Sequence, residues 1–125
     1  MRLTVRTRET GPGAITLSLQ GPLDGQTSGL LDQTIERMLD GPLKVLVLDM
    51  QGVDFITSAG IGTIMKAKTS LKKRKAELAL VNLQLQVQKV FEIIRVLPTL
   101  GVFQDRAELD EYLGAIQRRA TDEEG

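Results

Sequence analysis

Residues 49–75 read DMQGVDFITSAGIGTIMKAKTSLKKRK, and the rest of the chain is organised around this stretch. It begins at the end of an apolar run, and the small residues from Thr57 to Gly60 come directly before a helical apolar pattern. A serine at this point, Ser58, is typical of a helix N-cap, whose hydroxyl accepts from free backbone N–H groups. The positive end of a helix is also a favourable place for a phosphate. Ser58 is therefore predicted to cap the helix, and a second role as a phosphate acceptor stays open.

Upstream of this stretch, two alternating segments predict an antiparallel hairpin. Apolar and polar residues alternate from Arg2 to Arg8 and again from Ala14 to Gln20, with Gly11-Pro12-Gly13 as the turn. The arginines of the first segment favour an edge strand that is protected against pairing. A helix follows, and Lys44–Met50 is a nearly unbroken apolar run, as expected of a central parallel strand. The predicted apolar stripe of that helix is Leu30, Leu31, Ile35, Met38 and Leu39.

Downstream, the pattern alternates between helices and short strands. Strands are predicted at Glu77–Asn82 and Val102-Phe103, and Asp105 is the predicted cap of a final helix. The inward-facing residues are predicted as Ile61, Ile64, Met65 and Leu71 in the second helix, Val87, Val90, Phe91, Ile94 and Leu97 in the third, and Leu109, Leu113 and Ile116 in the fourth. This order predicts an α/β fold with a mostly parallel sheet of about five strands, an antiparallel N-terminal edge strand and about four helices. Residues 1–119 are expected to form a single domain, and residues 120–125 a disordered acidic tail.

The composition excludes several classes of function. The chain of 125 residues has no cysteine and no histidine, which removes disulfides, thiol chemistry, histidine metal sites and the Ser-His-Asp triad. Its 16 basic residues balance 16 acidic ones, and aromatic residues are few, so neither a nucleic acid nor an anionic membrane is expected as a partner. No apolar run is long enough to span a membrane. We therefore expect a cytoplasmic protein that is not an enzyme and that needs no cofactor or metal.

Two loops are predicted to meet at the carboxyl edge of the parallel strands, where α/β proteins bind ligands and partners. They are Gly21–Thr27 and Gln51–Gly60. Their meeting would make Asp24, Thr27, Thr57 and Ser58 neighbours. Asp24 fits equally well as a cap of the following helix and as a partner contact.

Other polar or glycine-rich features of this stretch have structural interpretations. Gly60 and Gly62 do not complete a nucleotide-binding motif, and they are interpreted as points of close helix-to-sheet packing. No base is available to activate Ser58 as a nucleophile. The basic residues from Lys66 to Lys75 are interpreted as a solvated helix face, with contact to an acidic partner as the alternative.

The run GVDFITSAGIG at residues 52–62 resembles the signature of the STAS domain, the fold of bacterial anti-sigma-factor antagonists. Gly21, Leu23, Asp24, Thr27 and Leu31 match a second pattern of this family, G-x-L-D-x-x-T-x-x-x-L. The resemblance implies a protein that binds an anti-sigma factor with serine kinase activity and is released when that kinase phosphorylates Ser58. It also implies a phosphatase for phosphorylated Ser58. The implied partner-binding residues are Asp24, Thr27, Thr57, Ser58, Ala59, Gly60 and Ile61.

Three positions depart from the family pattern. Thr57 stands where antagonists usually have Asp, Ala59 replaces a frequent Ser or Thr, and Arg95-Val96 lies where many relatives have Gly. Three alternatives follow from Thr57: Ser58 is still modified, Thr57 is modified instead or as well, or the chain is a STAS module that is not phosphorylated. In the last case the resemblance implies a regulatory subunit of a transporter ATPase or of a sensory complex. A monomer or a weak dimer is expected.

Overall fold

The structure is a computed structural model, and it describes residues 2–95 and 100–114. These residues form strands and helices in the predicted order. The elements are β1 (Thr4–Gly11), β2 (Ala14–Gln20), α1 (Ser28–Met38), β3 (Val45–Gly52), α2 (Ser58–Lys73), β4 (Glu77–Val81), α3 (Leu85–Ile94), β5 (Gly101–Phe103) and α4, which is described over residues 106–114.

The strands form one sheet with the order β1-β2-β3-β4-β5. β1 and β2 are antiparallel, whereas the other neighbouring pairs are parallel and place Leu17, Leu48 and Leu80 side by side. The predicted hairpin, the edge strand and the mostly parallel sheet are therefore confirmed. Because β3 lies in the middle of the sheet and is covered on both faces, its sequence is almost wholly apolar.

The two faces of the sheet carry different cores, since successive side chains of a strand point to opposite sides. Leucines such as Leu17, Leu46 and Leu80 face α1, α2 and α3 and form the main core. The opposite face holds a smaller cluster under α4, made of Val47, Ala79, Val81 and Leu109. On β1 and β2 this second face is polar, and Arg106 of α4 reaches across part of it to donate to Thr16 Oγ1 and Thr10 Oγ1.

Most residues of the predicted helical stripes lie in the core. The buried ones are Leu31 and Ile35 in α1, Ile61, Ile64 and Leu71 in α2, Val87 and Phe91 in α3, and Leu109 in α4. Leu30 and Ile94 are 46% and 40% exposed, so their predicted inward positions are wrong. Leu30 directly precedes the buried Leu31, and adjacent helical residues point about 100° apart. Leu97, Ile116 and residues 120–125 lie outside the described residues, and the domain boundary at residue 119 stays a prediction.

Two helix ends carry the polar features noted in the sequence. The amide of Glu108 donates to Asp105 Oδ1 over 2.9 Å, which confirms Asp105 as the cap of α4. α3 ends at Arg95, whose backbone is left-handed with φ 63° and ψ 37°. Glycine is usual at such a position, and a side chain there costs about 1 kcal/mol. The fold thus accommodates an arginine at a position whose backbone conformation favours glycine.

Candidate functional site

Backbone hydrogen bonds join the two loops at the carboxyl edge of the sheet, which confirms their predicted meeting. We call them the β2–α1 loop (residues 21–27) and the β3–α2 loop (residues 53–57). The amide of Leu23 donates to the carbonyl of Phe55 over 2.9 Å, and the amide of Thr57 donates to the carbonyl of Leu23 over 3.0 Å. A third bond runs from the Gly21 amide to the Gly52 carbonyl over 2.9 Å. The two loops therefore support one common surface.

Gly60 lets the first turn of α2 lie against the β2–α1 loop. A Cβ atom on Gly60 would come within 2.6 Å of the Leu23 carbonyl oxygen and 2.9 Å of Leu23 Cγ, closer than real atoms approach. Its predicted role in close packing is confirmed, although the neighbour is a loop next to the sheet. The same prediction for Gly62 is wrong, because Gly62 is exposed and a Cβ there would meet nothing within 4 Å.

Ser58 is the first residue of α2, and Thr57 occupies the N-cap position. The prediction that Ser58 caps the helix is therefore wrong by one residue. Ser58 is exposed, and its hydroxyl makes no hydrogen bond with any residue that the structure describes. The first amide N–H groups of an α-helix have no partner within the helix, and they carry its positive end. The Ser58 hydroxyl is thus accessible and lies beside a favourable electrostatic environment for an anion.

Thr57 has an unusual environment for a cap residue. Its backbone is extended, with φ −115° and ψ 174°, as a cap requires, but its side chain makes no capping bond. Its Oγ1 atom is buried and has no hydrogen-bond partner among the described residues. A buried hydroxyl without a partner costs about 1 to 3 kcal/mol. Burial also makes Thr57 less accessible to a modifying enzyme than Ser58.

The β2–α1 loop is held by Asp24 and Thr27. Asp24 Oδ1 accepts from the amides of Gln26 and Thr27 over 2.9 and 3.1 Å, and the Asp24 carbonyl accepts from the Ser28 amide over 2.8 Å. Asp24 therefore caps the turn that leads into α1. The bond from the Gln26 amide is the main cause that lowers the pKa of the Asp24 carboxyl below its usual 3.8.

Thr27 is buried and acts inside this loop. Its Oγ1 atom donates to the carbonyl of Pro22 over 2.8 Å and accepts from the amide of Asp24 over 2.9 Å. Thr27 thus fixes the shape of the loop and offers little side-chain surface to a partner.

The seven predicted partner-binding residues cluster, but they differ in accessibility. Ser58 and Ala59 are exposed, and Asp24 and Thr57 are partly buried. Gly25 extends the surface, because a Cβ atom built on it would lie 4.0 Å from Ala59 Cβ. The buried members, Thr27, Gly60 and Ile61, support this surface from below.

Three exposed apolar side chains at the same edge were not predicted. Phe55 in the β3–α2 loop is 53% exposed, Leu85 at the start of α3 is 67% exposed, and Leu30 lies in the first turn of α1. Gln84 Nε2 donates to the Gln51 carbonyl over 2.7 Å, which holds the start of α3 against the end of β3. We call Ser58, Ala59, Leu30, Phe55 and Leu85 the Ser58 surface. Residues 53–57 read VDFIT, and the sequence does not distinguish the exposed Phe55 from its buried apolar neighbours Val53 and Ile56.

The basic face of α2 is partly engaged with α1. Lys66 Nζ lies 3.1 Å from Asp32 Oδ2 and 3.8 Å from Glu36 Oε1, and the hydrogen bond to Asp32 raises the pKa of Lys66. The Arg74 guanidinium donates to the carbonyls of Leu39 and Gly41. Lys66 remains largely exposed, so such pairs contribute little stability. These contacts orient α1 beside α2.

The family assignment rests on a sequence match that covers most of the chain. The sequence model of the STAS domain matches residues 6–109, so the chain belongs to the STAS domain family. BtrV of Bordetella bronchiseptica, named as an anti-sigma factor antagonist, is 29% identical over 94 residues, which cover 75% of this chain and 81% of BtrV. The anti-sigma-B factor antagonist of Listeria monocytogenes is 27% identical over 93 residues, covering 74% and 82% of the two chains.

A solved structure agrees with the fold. The anti-sigma factor antagonist SpoIIAA in its unphosphorylated form has a TM-score of 0.70 at 15% identity, over 91% of this chain and 98% of SpoIIAA. Its phosphorylated form has a TM-score of 0.68 at 16% identity, over 87% and 99%. The resemblance seen in the sequence is therefore confirmed.

Two further findings on residues 2–95 and 100–114 concern membrane spans and metal sites. None of the helices described there is long and apolar enough to cross a bilayer. The same residues contain no group of three or more acidic side chains placed to hold a metal ion.

Proposed function

We propose that this protein is an anti-sigma-factor antagonist, a regulatory protein that binds an anti-sigma factor with serine kinase activity through the Ser58 surface. The partner releases a sigma factor on binding, and phosphorylation of Ser58 by the same partner ends the complex. The observation that carries this proposal is the Ser58 hydroxyl at the start of α2, which is exposed and has no hydrogen bond within the described part of the chain. The similarity of the chain to BtrV and to the Listeria antagonist supports the same role.

The Ser58 surface has the character of a protein interface. Binding energy in such interfaces is concentrated in a few large side chains near the centre, surrounded by contacts that exclude water. Phe55, Leu85 and Leu30 are exposed apolar side chains on segments that follow the carboxyl ends of three neighbouring strands, and Ser58 and Ala59 follow the middle one of these strands. The small residues leave room for a partner to approach the helix start, and the apolar residues supply the area to be buried.

Phosphorylation at Ser58 would act directly on this interface. A phosphate adds about −1.5 to −2 charges and a hydrated group at a surface that must become dry. A penalty of about 3 to 4 kcal/mol weakens binding by two to three orders of magnitude, which is sufficient for a switch. A phosphatase that acts on phosphorylated Ser58 would restore the binding form.

Ser58 is the preferred acceptor over Thr57. A kinase must bring the hydroxyl oxygen into line with the γ-phosphate of ATP, so the oxygen has to be reachable. Ser58 is exposed, whereas Thr57 Oγ1 is buried. Phosphate transfer to Ser58 therefore does not require a carboxylate at position 57, where the family resemblance implies an Asp.

Intact-mass spectrometry after incubation with the cognate kinase and ATP tests the proposal. We expect one added phosphate on the wild type and on Ser70→Ala, a matched control in the same helix, and none on Ser58→Ala. We also expect Ser58→Asp, which places a negative charge where the phosphate would be, to bind the anti-sigma factor at least a hundredfold more weakly than the unphosphorylated wild type. Phosphate on Ser58→Ala, or equal binding by Ser58→Asp, contradicts the switch.

The second candidate function is a STAS regulatory subunit of a transporter ATPase or a sensory complex, which Thr57 in place of the usual Asp favours. Affinity purification of the tagged chain distinguishes the two. Recovery of transporter or sensor subunits, unchanged by Ser58→Asp, supports the second candidate, and recovery of an anti-sigma factor that is lost with Ser58→Asp supports the first.

A further inference from the structure

We propose that the open face of the β1–β2 hairpin is a second interaction surface, which binds an extended acidic segment of a partner protein. It lies on the side of the sheet opposite the main core, and it shares no residue with the Ser58 surface. The two proposals therefore rest on different observations.

The surface is a groove made of two adjoining clefts, of about 360 and 340 Å³. Ser18 and Asp49 line both clefts, so the two clefts adjoin at these residues. We call it the open-face groove, and the residues that matter for binding are Arg6, Arg8, Ser18, Gln20, Asp49 and Arg106.

Strand register explains why these residues stand together. Arg6 pairs with Ser18 across β1 and β2, and Ser18 pairs with Asp49 across β2 and β3, so the three side chains form one row on the same face. Arg8 pairs with Thr16 in the next row. Facing residues of neighbouring strands project side by side. The groove is therefore built on the sheet, which holds it more rigidly than a loop would.

The charge of the groove is positive although the chain as a whole is neutral. Arg6 and Arg8 are exposed, and neither has a carboxylate within salt-bridge distance among the residues that the structure describes. Arg106 forms one wall, where its guanidinium donates to Thr16 Oγ1 over 2.8 Å and to Asp110 over 2.9 Å. Two arginines thus remain free to bind carboxylates, for which the guanidinium has a matching pair of donors.

The other lining groups favour a peptide over a nucleic acid. Asp49 Oδ1 accepts from Asn82 Nδ2 and from the Gln51 amide, both over 3.1 Å. Its carboxylate would repel every charge of a continuous phosphate backbone, whereas an extended peptide can carry an uncharged residue beside Asp49 and acidic residues beside Arg6 and Arg8. Asp49, Ser18 and Gln20 can accept from peptide amides, which a nucleic-acid backbone does not have. The groove also has no aromatic side chain on which a base could stack.

The dimensions fit a short extended segment. The groove is lined along β1 from Thr4 to Thr10, and a strand rises about 3.3 Å per residue, so the groove is about 20 Å long. An extended peptide of about six residues spans this distance. Acidic side chains on alternate positions would reach Arg6 and Arg8.

Fluorescence anisotropy with a fluorescein-labelled hexaglutamate peptide and the full chain tests this proposal. At about 50 mM salt we expect saturable binding that the double variant Arg6→Gln/Arg8→Gln weakens at least tenfold. The matched control Lys72→Gln/Lys73→Gln removes the same charge from α2 and should change the affinity less than twofold. Amide chemical-shift changes on the wild type should map to β1, β2 and the end of β3, independently of any variant.

Several results would overturn the proposal. They are the absence of saturable binding, equal weakening by the two double variants, or shift changes that map to α2. Tighter binding of a single-stranded oligonucleotide of equal charge, in competition with the peptide, would make the groove a nucleic-acid site. Loss of Ser58 phosphorylation or of partner release leaves these measurements unchanged, so the two proposals fail separately.

Discussion

The two loops at the carboxyl edge of the sheet use their hydroxyl groups in opposite ways. In the β2–α1 loop, Thr27 Oγ1 both donates and accepts within the loop, to Pro22 and from Asp24. In the β3–α2 loop, Thr57 Oγ1 is buried without a partner in the described residues. At the adjoining start of α2, the Ser58 hydroxyl is exposed and makes no hydrogen bond with the same part of the chain. The β2–α1 loop satisfies its threonine hydroxyl internally, whereas the β3–α2 loop buries an unsatisfied hydroxyl directly before the exposed Ser58. The contrast shows that the same residue type, threonine, stabilises one loop through two hydrogen bonds and leaves the other with a buried oxygen that has no partner in the described residues.

The close contact between Gly60 in the first turn of α2 and Leu23 in the β2–α1 loop gives the largest expected effect. Gly60→Ala should destabilise the protein by about 3 kcal/mol, because its Cβ would overlap the Leu23 carbonyl oxygen, which belongs to the backbone. Gly62→Ala is the matched control, since that position is open and alanine is the better helix former by about 1 kcal/mol. Urea unfolding measures both. Equal effects from the two substitutions would show that the loops do not touch at Gly60.

The next effect concerns the satisfied hydroxyl. Thr27→Val keeps the shape of the side chain but leaves the Pro22 carbonyl and the Asp24 amide unpaired, so we expect a loss of about 2 kcal/mol. The free energy of unfolding in urea is the measurement. A loss below about 0.5 kcal/mol would mean that water replaces these bonds at no cost.

The same substitution at the unsatisfied hydroxyl should have the opposite sign. Thr57→Val removes a buried oxygen that has no partner in the described residues, and no capping bond is lost. We therefore expect stabilisation by about 1 kcal/mol, measured as for Thr27→Val. A destabilisation would contradict the difference between the loops, because it would require a partner for Oγ1.

Asp24 links the supporting loop to pH. Because its folded pKa is lowered from 3.8, the carboxylate contributes stability that is complete above the unfolded pKa and is lost as the pH falls through the folded value. The melting temperature of the wild type relative to Asp24→Asn should therefore fall in the acid range below about pH 4 and be constant above about pH 5. A difference that does not change between pH 2 and pH 6 would exclude the carboxylate as the cap.

Much of this architecture could be predicted from the sequence, because periodicity and turn residues act locally. The alternation of Ala14–Gln20 and the apolar run before Asp49 correspond to β2 and β3. The sequence predicts the same close-packing role for Gly60 and Gly62. Gly60 alone of the two lies on the buried stripe of Ile64, Ala67 and Leu71, at spacings of four, seven and eleven residues. That helical phase would have separated them.

Other features depend on tertiary contacts and could not be predicted. Whether Thr57 or Ser58 is the N-cap of α2 depends on the hydrogen bond between the Thr57 amide and the Leu23 carbonyl in the other loop. Leu30 and Phe55 are exposed because the other described segments pack against the core and leave these two side chains largely uncovered. The apolar pattern of a sequence does not show whether an apolar side chain is buried in the core or exposed on the surface. An exposed apolar residue such as Leu30 is therefore predicted as part of the core.

Ser58 itself should have the smallest effect on stability, which separates its role from that of a cap. Ser58→Ala removes a hydroxyl that is exposed and unbonded, so the free energy of unfolding should change by less than about 0.5 kcal/mol. Asp105→Ala is the control, since Asp105 does cap α4 and its loss should cost about 1 kcal/mol. Equal losses in urea unfolding would mean that Ser58 works as a cap after all. A neutral Ser58→Ala that also abolishes phosphorylation would instead leave signalling as the reason for a serine at the start of α2.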